Sequence, residues 1–144
     1  MDLALLRLLR TRGHTPALDR AAGLLARAGE NGAVWLGAAA LARDRRALRV
    51  ILLALLGNTA IKQVVRRPRP ELGPDLPALA PTISSLSYPS AHAATSFAGA
   101  GALGGGPLYA AAGLMAFTRL YLGVHYPTDV LAGAALGWAV QRLA

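Results

Sequence analysis

The chain has 144 residues, 54% of them hydrophobic and 15% charged, with a formal net charge of +8. That length holds one domain and leaves no room for a second, the apolar balance points to a membrane protein, and the absence of cysteine excludes disulfides and thiolate metal sites. The basic excess, 14 Arg and the single Lys62 against 7 acids, suits anionic lipid or a phosphate substrate, while arginines scattered among apolar runs without interleaved aromatics argue against nucleic acid as a partner.

Residues 2–12 set Leu3, Leu5, Leu6, Leu8 and Leu9 among Arg7, Arg10 and Arg12. This predicts a basic amphipathic helix, lying in the membrane interface or packed on the domain. No small-residue cleavage site follows an apolar core, so no removable signal peptide is expected. His14, near Gly13 and Pro16, reads as an inert turn residue. Residues 17–28 repeat the pattern with Leu18, Leu24 and Leu25 beside Arg20 and Arg27, predicting a second peripheral helix.

Segments 31–42, 50–61 and 130–141 are free of charge for only about three helical turns each, whereas a crossing needs roughly 20 apolar residues. Their flanks must therefore take part, with Arg43, Arg45, Arg46 and Arg49 snorkelling to the interface or the bilayer thinning locally. The run 76–118 contains no Lys, Arg, Asp or Glu and is long enough for two crossings, 89–104 and 107–122. Gly104-Gly105-Gly106-Pro107 makes the turn between them. Abundant Gly and Ala suit close helix packing in lipid. The expected fold is an all-α integral-membrane bundle of about five membrane helices, preceded by amphipathic N-terminal helices. It is expected to form a single domain over 1–144, with 1–29 interfacial or peripheral and 30–144 the bundle. A soluble bundle with an Ala-rich core is the alternative.

Within the charge-free run lies Ser84-Ser85-Leu86-Ser87-Tyr88-Pro89-Ser90-Ala91-His92. Pro89 suits the first turn of a helix, which would place Ser90, Ala91 and His92 at an N-terminus able to receive an anion. Upstream, Lys62 stands seven residues before Arg69-Pro70. Downstream, Arg119 stands six residues before His125, and Asp129 follows four later. If 50–61 exits at Lys62, the helix from Pro89 leaves from the same side, turns at 104–107 and returns by Arg119. The last helix then departs after Pro127, and all three clusters meet on one face. Arginines on both faces leave the orientation of that face open.

A phosphate monoester needs cations, an in-line nucleophile and an acid for its leaving alcohol. Lys62, Arg69 and Arg119 are the candidate cations, Arg for bidentate contact and Lys as a point charge. The Ser90 hydroxyl and the backbone N–H groups near Ala91 and His92 complete the expected cradle. His125 is the candidate nucleophile, attacking phosphorus as a neutral imidazole to form a phosphohistidine. Asp129 would fix its tautomer and stabilise the imidazolium, and His92 would act as general acid. A two-His metal site lacks a third ligand at suitable spacing, so no metal or cofactor is expected. Arg66, Arg67 and Arg142 read as interfacial or headgroup charges. Glu30 reads as a helix-end partner to an arginine, with a substrate contact as its other reading.

Three patterns, Lys-x6-Arg-Pro, Pro-Ser-Ala-His and Thr-Arg-x5-His-x3-Asp, thus occur in order between Lys62 and Asp129. On them the chain resembles the type 2 phosphatidic acid phosphatase (PAP2) superfamily of membrane lipid phosphatases, related in site to vanadium haloperoxidases. The family motifs carry Gly where this chain has Ala91 and Ser where it has Thr118. A helical first-turn position tolerates the alanine methyl; a left-handed one would not. The resemblance implies a metal-independent, multi-pass phosphatase of the bacterial inner membrane, with the same roles at the same residues. The Pro-Ser-Ala-His variant and the compact length are similar to small actinobacterial members. That likeness implies a polyprenyl-linked substrate such as decaprenylphosphoryl-5-phosphoribose, with undecaprenyl diphosphate and phosphatidylglycerophosphate as alternatives. A non-catalytic lipid-phosphate-binding protein would need the cations but not His92, His125 and Asp129. Vanadate-dependent haloperoxidases are usually larger and soluble. Monomer and homodimer both stay open.

Overall fold

A computed structural model describes residues 2–144, and among these the architecture is helical, with a single isolated β-bridge between Pro68 and Leu86. Helix α1 (Asp2–Arg10) and helix α2 (Pro16–Ala28) come first, then a 3₁₀ turn (Glu30–Gly32) and the short α3 (Ala33–Leu41). Four longer helices follow: α4 (Arg45–Val65), α5 (Ala91–Ala102), α6 (Pro107–Tyr121) and α7 (Pro127–Leu143).

Local chemistry sets several of these boundaries. Thr15 caps α2 by accepting from the Leu18 N–H at 3.2 Å, with Pro16 as the first helical residue. Asp44 does the same for α4 through the Ala47 N–H at 2.9 Å. With 21 residues, α4 is the one helix among the described residues long and apolar enough to cross a membrane by itself. Its length of about 31 Å, at 1.5 Å per residue, matches a hydrocarbon core. Helices α5, α6 and α7 have 12, 15 and 17 residues; α5 is shorter than the 89–104 crossing expected of it, and α7 extends beyond the charge-free 130–141 at both ends.

Two boundaries differ from expectation. Pro89 is not in the first turn of α5; the helix starts at Ala91, and Ser90 is its cap. Ser90 is extended (φ −72°, ψ 117°) and its hydroxyl accepts from the Ala93 N–H at 3.4 Å, a role a serine side chain can play and proline cannot. Segment 31–42 loses its start to the 3₁₀ turn, where Asn31 and Gly32 have φ of +49° and +76°. The nine-residue α3 is therefore only about 14 Å long.

Helix α5 is the hub, packing against α4, α6 and α7. Its buried face is built from small residues, including Ala93, Ala94, Ala98, Gly99 and Ala100. Helix α7 answers with Gly133 and Gly137, where an added Cβ would run into the backbone carbonyls of Ser90 and Ala94. Packing this close needs small residues on both sides. Trp35 of α3 closes the layer by donating its indole N–H to Ser96 Oγ at 2.8 Å. At the far end the chain turns through Gly104, Gly105 and Gly106, all at positive φ. Leu52, Leu53 and Leu56 of α4, Leu114 and Phe117 of α6, and Leu131 and Trp138 of α7 point outward, an apolar periphery suited to lipid rather than water. Helices α1 and α2 pack along α6 at the edge of this bundle.

Candidate active site

The C-terminal ends of α4 and α6 and the N-terminal ends of α5 and α7 lie at one end of the bundle, covered by the 66–90 loop and the 3₁₀ turn. A cavity of about 190 Å³ opens there, and Lys62, Arg69, Ala91, His92, Arg119 and His125 all line it. Three segments separated by more than twenty residues each thus converge on one space.

Arg69 is the most firmly fixed cation. Its Nε donates to the Ser84 carbonyl at 2.7 Å, and its Nη1 donates to the Val124 carbonyl at 2.7 Å and to His125 Nε2 at 3.1 Å. Burial, opposed by the charges of Asp129 and Glu30, lowers its pKa from the ordinary guanidinium value. Lys62, on the last turns of α4, reaches the Leu86 carbonyl at 3.4 Å. Arg119 is buried, and its Nε has no protein partner. A buried guanidinium N–H left unmatched is costly unless an anion completes it.

His125 lies in the short loop between α6 and α7, 2% exposed. Because an arginine can only donate, the contact from Arg69 makes Nε2 the unprotonated nitrogen, with its lone pair on the cavity side. Nδ1 then carries the proton and faces Asp129 Oδ2 at 3.4 Å. That approach is not aligned as a hydrogen bond, and such contacts commonly tighten when substrate binds. Burial, with the Asp129 contact opposing it and the Arg69 and Arg119 charges adding to it, lowers the His125 pKa to about 4. The imidazole is therefore neutral at physiological pH.

His92, in the first turn of α5, places Nε2 2.8 Å from the Ala26 carbonyl of α2. A carbonyl only accepts, so Nε2 is the donor and Nδ1 is the nitrogen left for exchange with a ligand. Two of the expected site residues stand behind the cavity wall rather than on it. The Ser90 hydroxyl is fully buried and engaged in capping α5, and its N–H donates to the Asp129 carbonyl at 2.9 Å. Asp129 is fully buried below His125, with Oδ2 also accepting the Tyr126 N–H at 2.8 Å.

Sequence reasoning missed several supports. Arg67, read as an interfacial charge, instead donates to Asp129 Oδ1 at 2.9 Å and to Thr128 Oγ1 at 2.7 Å. It also pairs with Asp2 at 3.0 Å and lies 3.8 Å above the Tyr126 ring. The signal was available, because a carboxylate expected below a buried histidine needs a counter-charge and the arginines of the 66–69 cluster lie nearest. Asn58 of α4, also buried, donates to the Pro89 carbonyl at 3.0 Å and holds the loop before α5. His14 is not an inert turn residue: it stacks on Tyr121 with centroids 4.1 Å apart and pairs with Asp19 at 3.0 Å. Arg10, expected on an interfacial face, turns inward and donates to the Pro77 carbonyl at 2.7 Å. Arg142 lies over Trp138 at the opposite end. Among the described residues no group of three His, Cys, Asp or Glu side chains is arranged to hold a metal ion.

Comparison with known proteins gives this arrangement a family. The model of the PAP2 superfamily matches residues 45–106 and 107–144, and the chain belongs to that superfamily. It is a membrane lipid phosphatase, a phosphoric ester hydrolase. The decaprenylphosphoryl-5-phosphoribose phosphatase of Mycolicibacterium smegmatis is 41% identical over 131 residues, covering 82% of this chain and 72% of the relative. The protein of the same description from Mycobacterium tuberculosis is 43% identical over 119 residues, covering 75% of this chain and 65% of its own length. Among solved structures, Aquifex aeolicus LpxE superposes with a TM-score of 0.80 at 26% identity, over 99% of this chain and 93% of that one. The first transmembrane PAP2 type phosphatidylglycerolphosphate phosphatase from Bacillus subtilis does so with 0.71 at 24% identity, over 99% and 81%.

Proposed function

We propose that this protein removes the phosphate monoester from a polyprenyl-linked phosphosugar, decaprenylphosphoryl-5-phosphoribose being the substrate that its mycobacterial relatives are named for. The observation that carries the chemistry is the orientation of His125, with its unprotonated Nε2 on the cavity, where Arg69 donates to it, and its Nδ1 toward buried Asp129. Lys62, Arg69 and Arg119 bind the phosphoryl oxygens, joined by the backbone N–H groups at Ala91 and His92. His125 Nε2 attacks phosphorus as the Arg69 N–H shifts to a phosphoryl oxygen, the bond to the leaving oxygen breaks, and that oxygen takes the proton that the phosphate monoanion brings, relayed through His92 Nδ1 while Nε2 keeps its own. Asp129 stabilises the cation that forms on His125. Water then attacks the phosphohistidine, returning a proton to His92 and releasing inorganic phosphate. The Ser90 hydroxyl acts through α5, by capping the helix that presents Ala91 and His92. Residues 1–144 act as one domain, crossing the bacterial inner membrane several times through 30–144, with α1 and α2 at its edge.

The test is phosphate release by purified protein in detergent with EDTA present, on decaprenylphosphoryl-5-phosphoribose, undecaprenyl diphosphate, phosphatidylglycerophosphate and phosphatidic acid, with His125→Ala alongside. Preference for the phosphoribose lipid, surviving EDTA and lost in the variant, is the expected result. Release abolished by EDTA would overturn the histidine mechanism. No release from any lipid by folded protein would favour a binding role.

A further inference from the structure

The cavity contains one group that phosphate binding does not explain. Among the described residues, Glu30, which opens the 3₁₀ turn, is the only acidic one on a wall that otherwise offers three cations, two histidines and neutral side chains. It is half-buried, and no ion pair or side-chain hydrogen bond engages it among the described residues. Its charge is near enough to act on Lys62, Arg69 and Arg119 alike. Glu30 and Arg119, with Thr82 and Ile83, also line an adjoining chamber of about 220 Å³ against α2. The carboxylate thus marks the border between the phosphate pocket and the space where the rest of a headgroup would lie.

An ionised carboxylate only accepts hydrogen bonds, and so do phosphate oxygens. Glu30 repels the phosphoryl group and has to be matched by a donor on the part of the substrate beyond it. On a sugar or polyol phosphate that donor is a hydroxyl group close to the phosphorylated carbon. We infer that Glu30 is a specificity-determining residue that accepts hydrogen bonds from headgroup hydroxyls, selecting a sugar or polyol phosphate over a lipid phosphate without them. Asn31 and Gln63 line the same cavity and supply neutral partners for further hydroxyls. The alternative role, balancing the charge of the three cations, would act on every phosphate substrate equally. Only hydroxyl reading discriminates between substrates.

The inference rests on the phosphosugar reading above, and its test separates the two. Wild type, Glu30→Gln and Glu30→Ala are compared in detergent on decaprenylphosphoryl-5-phosphoribose, its 2,3-dideoxy analogue and phosphatidic acid. The readout is the ratio of kcat/KM for the hydroxylated substrate to that for the dideoxy one, in which any general charge effect cancels. A site built to bond a hydroxyl penalises the analogue lacking it. For a half-exposed carboxylate a wild-type ratio of about 10 to 100 is expected, falling at least tenfold in Glu30→Ala and by less in Glu30→Gln, which keeps one acceptor. A ratio unchanged within twofold in both variants would overturn the inference and leave the phosphatase reading intact. Wild-type hydrolysis of phosphatidic acid but of neither pentose phosphate would overturn the phosphosugar reading and this inference with it.

Discussion

Arg67 donates to one oxygen of Asp129 at 2.9 Å, while the other oxygen of that carboxylate faces Nδ1 of His125 at 3.4 Å. One oxygen is thus held by an arginine, while the other faces the imidazole and also accepts the Tyr126 N–H. Thr128 and Asp2 hold Arg67 from its outer side, since Arg67 donates to Thr128 Oγ1, and Asp2 accepts from both Arg67 and Thr128. Burial works against the charge on Arg67, but Asp2 and Asp129 outweigh it and hold its pKa above the ordinary value. Helix α1, through Asp2, is thereby part of the support beneath the candidate nucleophile.

Removing Arg67 should cost both stability and rate. Asp129 would be left as a buried charge without its cation, a change worth about 3–5 kcal/mol in a dry site. Arg67 is 29% exposed, so solvent screening should bring the loss to about 2–3 kcal/mol. Arg67→Ala is expected to lower the melting temperature in detergent and to reduce kcat with little change in KM. Arg67→Lys should recover part of the stability, having the charge but not the fork that reaches Asp129 and Thr128 together. Equal melting temperatures for wild type and Arg67→Ala would show that the pair contributes nothing.

Asp129→Asn separates shape from charge. The amide retains the volume and can accept the Tyr126 N–H, but it can offer the His125 ring a donor as readily as an acceptor. Loss of the carboxylate that orients a catalytic imidazole has cost about 10⁴ in kcat in the serine protease triad, and a drop of about 10² to 10⁴ is expected here. Single-turnover phosphate release measures it. Activity within a few-fold of wild type would show that His125 needs no carboxylate beneath it.

Much of this was legible in the sequence because the informative features were local or fixed by topology. The Gly104-Gly105-Gly106 break, the small-residue character of 91–102 and the spacing within each cluster follow from short-range preferences. The alternating direction of successive helices then brings Lys62, Arg69, His92, Arg119 and His125 to one cavity. The features that escaped depend on which neighbour a side chain meets across the fold. Nothing near Arg67 announces that it turns down to Asp129 rather than out to a headgroup. Nothing near His14 announces the Tyr121 ring, 107 positions away. The motif position of Ser90 points to a phosphate contact, whereas its backbone conformation commits the hydroxyl to the end of α5. A helix cap and an anion cradle draw on the same side-chain oxygen, and here the cap is formed.

The depressed pKa of His125 makes a statement about stability against pH. In the unfolded chain an imidazole binds its proton below about 6.5; in the folded protein burial delays this to about 4. Between those values only the unfolded state takes up the proton, so stability is fully present above about 6.5 and falls as pH drops towards 4. Below that both states are protonated and the contribution is flat. Melting temperatures in detergent from pH 8 to pH 4 should decline over this interval, and His125→Phe should remove part of the slope. An identical slope in the variant would assign the decline to other groups.

Gly137 tests whether the α5–α7 contact governs the fold. A Cβ there would meet the Ala94 carbonyl and the Ala98 N–H, backbone atoms that no side-chain rotation can withdraw. Alanine is otherwise the better helix former by about 1 kcal/mol, so a loose interface would make Gly137→Ala stabilising. A close one would make it destabilising by about 1–3 kcal/mol, the usual cost of overpacking. Destabilisation is expected, with a loss of activity as well, because α7 carries Asp129 and α5 carries His92. Gly113 of α6, where a Cβ meets nothing within 4 Å, is the control: Gly113→Ala should leave the melting temperature equal or higher. If the two substitutions behaved alike, helix propensity and not the contact with α5 would account for Gly137.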